Sequence, residues 1–231
     1  VKRNIFPNVL NDIRLYYIEY FDYFMNQKNS LGLNSCFMDL DNPMELFKIW
    51  MSEAEKKEIN DPNALSLATT NQKNEPSVRM VLLKGLSEKG FVFYTNLNSP
   101  KSNDLKTNSK AEMCFHWKSL QRQIRIYGSV IQVSDDEADN YFNSRPYESR
   151  IGAWASDQSN VLNKRDDFLK KIEELKKKYD DKNNVPRPKN WSGWCLQPLS
   201  FEFWLGDKYR IHERLKYNKI LNKWKKNILY P

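Results

Sequence analysis

Residues 77–101 read S-V-R-M-V-L-L-K-G-L-S-E-K-G-F-V-F-Y-T-N-L-N-S-P-K. Two apolar runs, residues 78–84 and 91–96, flank a Ser-Glu-Lys-Gly turn, the pattern of a β-hairpin. Strict alternation puts Arg79 with Val81 and Leu83 on one face of the first run and Lys84 with Met80 and Leu82 on the other. The two cations would then serve different ligands. The second run ends near the polar pair Tyr94-Thr95, and Ser99 then stands where a helix N-cap belongs, with Pro100 at the first helical position and Lys101 beside it. A helix N-terminus with a neighbouring lysine suits a phosphate. A surface hairpin with solvated basic residues is the alternative reading of this stretch alone.

Outward from this segment, short β-prone runs recur at residues 65–70, 111–117 and 123–133, separated by turns or one small helix. Short strands at this spacing point to a barrel or sandwich, not a parallel α/β sheet. No G-x-G-x-x-G or G-K-[ST] loop occurs, so neither a Rossmann dinucleotide site nor a P-loop is supported. Before the strands, Asn42-Pro43 introduces a helix over residues 45–58 with Leu46, Ile49 and Trp50 on one stripe. Residues 1–43 are expected to form a partly ordered arm, and residues 44–231 the main domain. Within the arm, Arg14 and Tyr17 are three apart, as one helical turn would present a cation and a phenol.

After the strands, S-D-D-E at residues 134–137 is a capping box. On its helix Tyr141 and Arg145 are four apart, and Ser149 is four further on, beyond Pro146. Two hydroxyls and a forked cation suit a phosphate monoester; a helix end carrying a C-terminal arginine is the plainer alternative. Residues 164–178 form an amphipathic helix with a solvated basic face. Residues 191–197, 200–204, 209–217 and 224–229 read as returning strands. In the third, Arg210, His212 and Arg214 would share one face, an arrangement that suits an anion or electron-rich ligand, with Trp204 on the adjacent strand to cover a flat one; a row of cations exposed to water is the alternative.

The chain has 231 residues, a net charge of +8 and 29% charged residues. That charge permits nucleic-acid binding, but the basic residues are dispersed and interleaved with acids, so anionic small ligands are expected instead, with no nucleic-acid partner. No apolar run approaches the ~20 residues of a membrane span. No signal-peptide pattern is evident. Cys36, Cys114 and Cys195 lie far apart with no C-x-x-C, which fits a reducing compartment, the cytoplasm, and predicts no structural zinc site.

R-M-V-L-L-K-G, F-Y-T-N, S-x-K, R-Q, Y-F-x-S-R-P-x-x-S-x-I-G-A-W, Q-S, E-F-W and R-I-H-E-R, in this order, resemble the pyridoxamine 5'-phosphate oxidase family from about Asn42 to the C-terminus. The resemblance implies a mainly β fold with flanking helices: an FMN-binding split β-barrel, assembled as a homodimer. It also implies oxidation of pyridoxine or pyridoxamine 5'-phosphate to pyridoxal 5'-phosphate by dioxygen, with release of hydrogen peroxide. It carries FMN contacts onto Arg79, Met80, Val81, Leu82, Leu83, Lys84, Tyr94, Thr95, Lys101, Gln123, Gln158, Ser159, Trp204 and Arg214. Substrate contacts fall on Lys84, Tyr141, Arg145, Ser149, Arg210 and His212, with Arg14 and Tyr17 as a lid, and the catalytic pair is Arg210 and His212. The rival readings are another split-barrel FMN oxidoreductase with a different substrate, and an anion-binding module without turnover.

One position departs from the family pattern. Where relatives usually read S-R-K, this chain reads Ser99-Pro100-Lys101, so an arginine expected on the FMN phosphate is missing. Proline suits the first helical position, so the fold is expected to survive. Losing one charge-assisted contact costs roughly 1.5–3 kcal/mol. Pro100→Arg is therefore expected to tighten FMN binding about tenfold to a hundredfold, read as a dissociation constant by fluorescence titration. An unchanged constant would show that Pro100 is no handicap.

Overall fold

The computed structural model describes residues 28–231. Nine strands form one sheet: β1 (Ala64–Thr70), β2 (Pro76–Leu82), β3 (Gly85–Ser87), β4 (Gly90–Asn96), β5 (Lys110–Trp117), β6 (Arg122–Gln132), β7 (Trp191–Leu205), β8 (Glu213–Ile220) and β9 (Lys223–Leu229). Among the described residues five α-helices flank it: α1 (Pro43–Lys57), α2 (Pro100–Thr107), α3 (Asp135–Asn143), α4 (Tyr147–Ala155) and α5 (Arg165–Lys178). The strand order is β2-β1-β5-β6-β7-β4-β3, and β8 pairs with β7 and β9. The result is a split β-barrel, a curled sheet with helices against it.

The apolar positions of the strands explain the curl. β1, β5 and β6 alternate buried and more exposed residues, and their buried set includes Leu65, Leu67, Met113, Phe115, Ile124 and Ile126. α1 turns Leu46, Phe47 and Trp50 into the hollow, each fully buried. Phe47 meets Phe91 edge-on at 4.8 Å and Trp50 meets Phe203 at 5.2 Å. Burying side chains of this kind contributes roughly 1.5–3 kcal/mol each, which is what holds the helix in the barrel. Arg122 lies 4.6 Å above the Trp50 ring and pairs with Glu53 at 2.6 Å, so the same helix is fixed in rotation as well as depth. Leu33 and Phe37, ahead of α1, belong to this core too.

Three local expectations are corrected. β2 pairs with β1 along its whole length, from Ala64 opposite Leu82 to Thr70 opposite Pro76, so residues 78–84 and 91–96 are not the two arms of one hairpin. The tight turn joins the short β3 to β4, and only the Lys84 N–H, donating to the Val92 carbonyl at 2.8 Å, extends that ladder backwards. The turn requires Gly90, whose φ is +140° and where a Cβ would stand 2.0 Å from the Leu196 carbonyl oxygen. The runs 191–197 and 200–204 are one strand, β7, with a register shift opposite Tyr127 and Gly128. The strand expected over residues 209–217 begins only at Glu213, because Lys208–Arg210 form a 3-10 turn in which Tyr209 and Arg210 take positive φ values of 57° and 65°. Arg210, His212 and Arg214 consequently do not line one strand face.

Other boundaries follow the sequence closely. Ser134 caps α3 by accepting from the Glu137 N–H at 3.3 Å, and Pro146 separates α3 from α4. Ser99 holds the N-cap position of α2, but its hydroxyl donates to the Asn96 carbonyl at 2.7 Å and does not cap the helix. No helix among the described residues is long and apolar enough to cross a membrane.

Candidate functional site

The polar residues singled out by sequence gather in three places. The first lies where β4 runs into α2. Lys101 is 8% exposed, and its ammonium donates to Thr95 Oγ1 at 3.1 Å, Ser99 Oγ at 3.2 Å and Gln158 Oε1 at 3.2 Å. Thr95 Oγ1 also donates to Gln158 Oε1 at 3.1 Å, tying the loop after α4 to the strand. All three acceptors are neutral. Burial, and then repulsion from Arg79, push the Lys101 pKa below its ordinary value. Arg79, inward on β2 as alternation requires, donates through Nη1 to the Leu67 carbonyl at 3.0 Å and Thr69 Oγ1 at 2.7 Å, and through Nη2 to Ser77 Oγ. Its nearest carboxylate, Asp104, stands at 3.9 Å. Two partly desolvated cations thus share a corner that has, among the described residues, one carboxylate, at the limit of ion-pair distance, and such a surplus of positive charge favours an anion.

The second place lies on the opposite face of β4, since Tyr94 and Thr95 are adjacent on a strand. The Tyr94 ring stacks on Tyr141 of α3 at 3.9 Å and on Trp191 of β7 at 5.3 Å, with planes within 11° and 7°. Gly193, paired with Tyr94 across the ladder, makes this stack possible: a Cβ there would lie 2.8 Å from the Tyr94 ring. The Arg145 guanidinium sits 4.8 Å from the Trp191 ring centre, and among the described residues its Nη1 is buried with no partner. An arginine that is stacked, desolvated and has a spare donor is arranged for an acidic oxygen. Burial raises the Tyr94 pKa to about 12 and also raises that of Tyr141, so both phenols stay protonated donors through the neutral range. Ser149 is on the first turn of α4, where its N–H donates to the Pro146 carbonyl at 3.0 Å.

The third place is a row across three strands. Gln123 pairs with Trp204, and Trp204 with Arg214. Arg214 donates through Nε and Nη2 to Glu202 at 3.0 and 2.7 Å and through Nη1 to the Tyr230 carbonyl at 2.9 Å. The His212 ring lies 4.6 Å from that of Trp204, and its Nδ1 accepts from the Asp207 N–H at 3.1 Å. That bond leaves the proton of the neutral ring on Nε2. Arg210 is exposed on its 3-10 turn, apart from the strand row.

The other expected positions are placed as follows. Met80, Leu82 and Lys84 point outward and are exposed, while Val81 and Leu83 turn inward. Ser159 is exposed with a φ of 70°. Arg14 and Tyr17 lie outside the described residues. Sequence reasoning passed over Ser99 as a lysine partner, and over Asp104, Trp191, Gly193 and Glu202. Only Glu202 carried a legible signal, an acid within the E-F-W run and directly between two core phenylalanines.

A split barrel with one buried, cation-lined corner and a second, stacked arginine defines a fold that offers two places to an anionic group. The sequence model described as pyridoxamine 5'-phosphate oxidase matches residues 51–179, and that of the pyridoxine 5'-phosphate oxidase C-terminal dimerisation region matches residues 191–231. The chain is 64% identical over 208 residues to a pyridoxine/pyridoxamine 5'-phosphate oxidase of Pelagibacter ubique, covering 90% of this chain and all of that one. It is 48% identical to the enzyme so named from Sinorhizobium fredii, covering 84% and 95%. Among solved structures, PhzG from Burkholderia lata in complex with tetrahydrophenazine-1-carboxylic acid matches with a TM-score of 0.81 and 27% identity, over 89% of this chain and all of that one. A pyridoxamine 5'-phosphate oxidase-related, FMN-binding protein of Nostoc punctiforme shares the fold with a TM-score of 0.66 and 16% identity, over 84% and 100%. The chain belongs to the pyridoxine/pyridoxamine 5'-phosphate oxidase family.

The Lys101 corner has a pH consequence. A lysine whose folded pKa lies below its unfolded value leaves the unfolded chain binding more protons between the two, so its penalty is full at neutral pH and fades as pH rises toward 10.5. Relative to Lys101→Met, the wild-type apoprotein is expected to gain stability as pH climbs into that window, measured by denaturant melts at stepped pH. Added inorganic phosphate should stabilise the wild type and not the variant. A difference between the two that is flat with pH would contradict the strained-ammonium reading.

Proposed function

We propose that this chain is an FMN-dependent oxidase that converts pyridoxine 5'-phosphate and pyridoxamine 5'-phosphate to pyridoxal 5'-phosphate with dioxygen, working as a homodimer in the cytoplasm. What supports the reading most is the presence of two separate anion-ready sites on opposite faces of one strand. The Arg79 and Lys101 corner suits the phosphate of the cofactor, and Arg145 with its spare Nη1 suits that of the substrate. The exposed apolar side chains of β2, Val78 at 68% and Met80 at 63%, fit a face that a second subunit covers.

Bound FMN would supply the two-electron acceptor for the substrate carbon and pass the electrons to dioxygen. The chain's own residues supply placement and charge. Thr95 and Gln158 orient the Lys101 ammonium, while Gln123, Trp204 and Arg214 form a row suited to a flat ring. Met80, Val81, Leu82 and Leu83 supply backbone along one side of the cofactor site, and Ser159 closes the loop next to Gln158. Tyr141, Arg145 and Ser149, with Lys84, hold the substrate phosphate, so binding energy is gained away from the reacting carbon. Arg210 and His212 face that carbon. With its proton on Nε2, His212 is a donor, suited to hold the substrate's oxygen or nitrogen and not to take its proton. Arg14 and Tyr17 would cover the bound substrate.

The PhzG likeness keeps a second reading open to test: an oxidoreductase of the same fold acting on a substrate without a phosphate. The desolvated Arg145 calls for an acidic oxygen, which a carboxylate supplies as well as a phosphate, so the choice between the two readings falls to the assay. The deciding assay follows aldehyde and hydrogen peroxide when the FMN-loaded protein is given pyridoxine 5'-phosphate or pyridoxine in air. Turnover confined to the phosphorylated compound is expected; FMN binding without oxidation of either would favour the second reading. Arg210→Ala should lower kcat about a hundredfold with flavin content unchanged. A parallel loss of flavin would make Arg210 a structural residue.

A further inference from the structure

We propose that Arg187 is a positioning residue for the substrate-phosphate clamp, acting through Trp191; this rests on the function proposed above. Arg187 lies in the Val185-Pro186-Arg187-Pro188 run between α5 and β7, and its side chain is 11% exposed. All three guanidinium nitrogens are engaged. Nε donates to Asp139 Oδ1 at 2.5 Å and Nη2 to Asp135 Oδ1 at 2.8 Å, both carboxylates being one turn apart on α3. Nη1 donates to the Trp191 carbonyl at 2.8 Å. One planar group therefore fixes the first residue of β7 against two successive turns of the helix that carries Tyr141.

The geometry downstream depends on that registration. Trp191 lies parallel to Tyr141, 6.2 Å away with planes within 4°, with Tyr94 close to both rings. Arg145, just past the end of α3, rests 4.8 Å from the same indole and 5.6 Å from the ring of Phe142. If the indole slides or tilts, the Arg145 guanidinium loses its platform and Tyr141 its stacking order. The surrounding chain is stiff enough to transmit the constraint: the Trp154 Nε1 donates to the Pro186 carbonyl at 2.7 Å, and the Trp191 N–H to the Pro188 carbonyl at 3.0 Å. Stability is not the evident purpose. The Asp135 and Asp139 side chains are 80% and 49% exposed, and ion pairs with such partners hold little net free energy. Registration is the property that three directed bonds confer and a solvated pair does not.

The test compares Arg187→Gln, Arg187→Lys and Asp139→Asn with wild type, all FMN-loaded, using pyridoxine 5'-phosphate and pyridoxine. Arg187→Gln is expected to raise KM for the phosphorylated substrate about tenfold, with a smaller change in kcat, since displacements of about 1 Å are enough to cost ~10²-fold in a positioned site. The preference for the phosphorylated compound should shrink in proportion, the FMN dissociation constant should stay put, and Arg187→Lys should restore part of the KM. Asp139→Asn, which leaves the bonds to Asp135 and Trp191, should give a partial effect in the same direction and carries the test should Arg187→Gln not fold. Unchanged KM, or a loss of FMN affinity, thermal stability and both activities together, would overturn the proposal. A wild type without preference for the phosphorylated compound would overturn the functional reading beneath it, a result visible before any variant is made.

Discussion

Burying an ammonium costs free energy that hydrogen bonds to hydroxyls and an amide only partly return. Lys101 accepts that cost at the start of α2, with the Arg79 guanidinium near enough to depress its pKa further. The surrounding architecture serves to keep the two cations there. β1 presents the Leu67 carbonyl and Thr69 to Arg79, β4 delivers Thr95, α2 orients Lys101, and the loop after α4 brings Gln158 across. Elements far apart in sequence thus meet at one point of positive potential, and an anionic ligand is what makes such a point favourable.

The two sides of β4 divide the work. One face carries Thr95 to the Lys101 corner, the other carries Tyr94 into the aromatic stack beneath Arg145. Because a strand alternates by necessity, two anion sites fall on one short stretch without competing for the same space. The glycine at position 193 and the helix α3 then decide how closely the second site packs. The Gln123, Trp204 and Arg214 row extends the arrangement along the outer face of the sheet, where Glu202 holds Arg214 in place.

Much of this was legible where the code is local. Alternation correctly divided Arg79, Val81 and Leu83 from Met80, Leu82 and Lys84, and the Ser99-Pro100 pair marked the start of α2. The helix carrying Tyr141 was readable from its cap. Non-local pairing was not: nothing within residues 77–101 reveals that β2 prefers β1 over β4, since hydrophobic pattern fixes a strand's faces and not its neighbour. Arg210 was misplaced because alternation in R-I-H-E-R continues past the point where Asp207 caps a 3-10 turn and two residues take left-handed φ. Trp191 and Arg187 had no local signature at all, as their role arises only when α3 packs on β7. The family resemblance named residues expected to face ligands and gave no information on those packed behind them.

Lys101 is the strained cation at the centre of this architecture, and an anion relieves it. Its ammonium pKa can be followed by NMR on selectively labelled lysine, in apoprotein and after addition of FMN. A value below 10.5 is expected in the apoprotein, rising when FMN binds. An ordinary value without ligand, or one that FMN leaves unmoved, would contradict it.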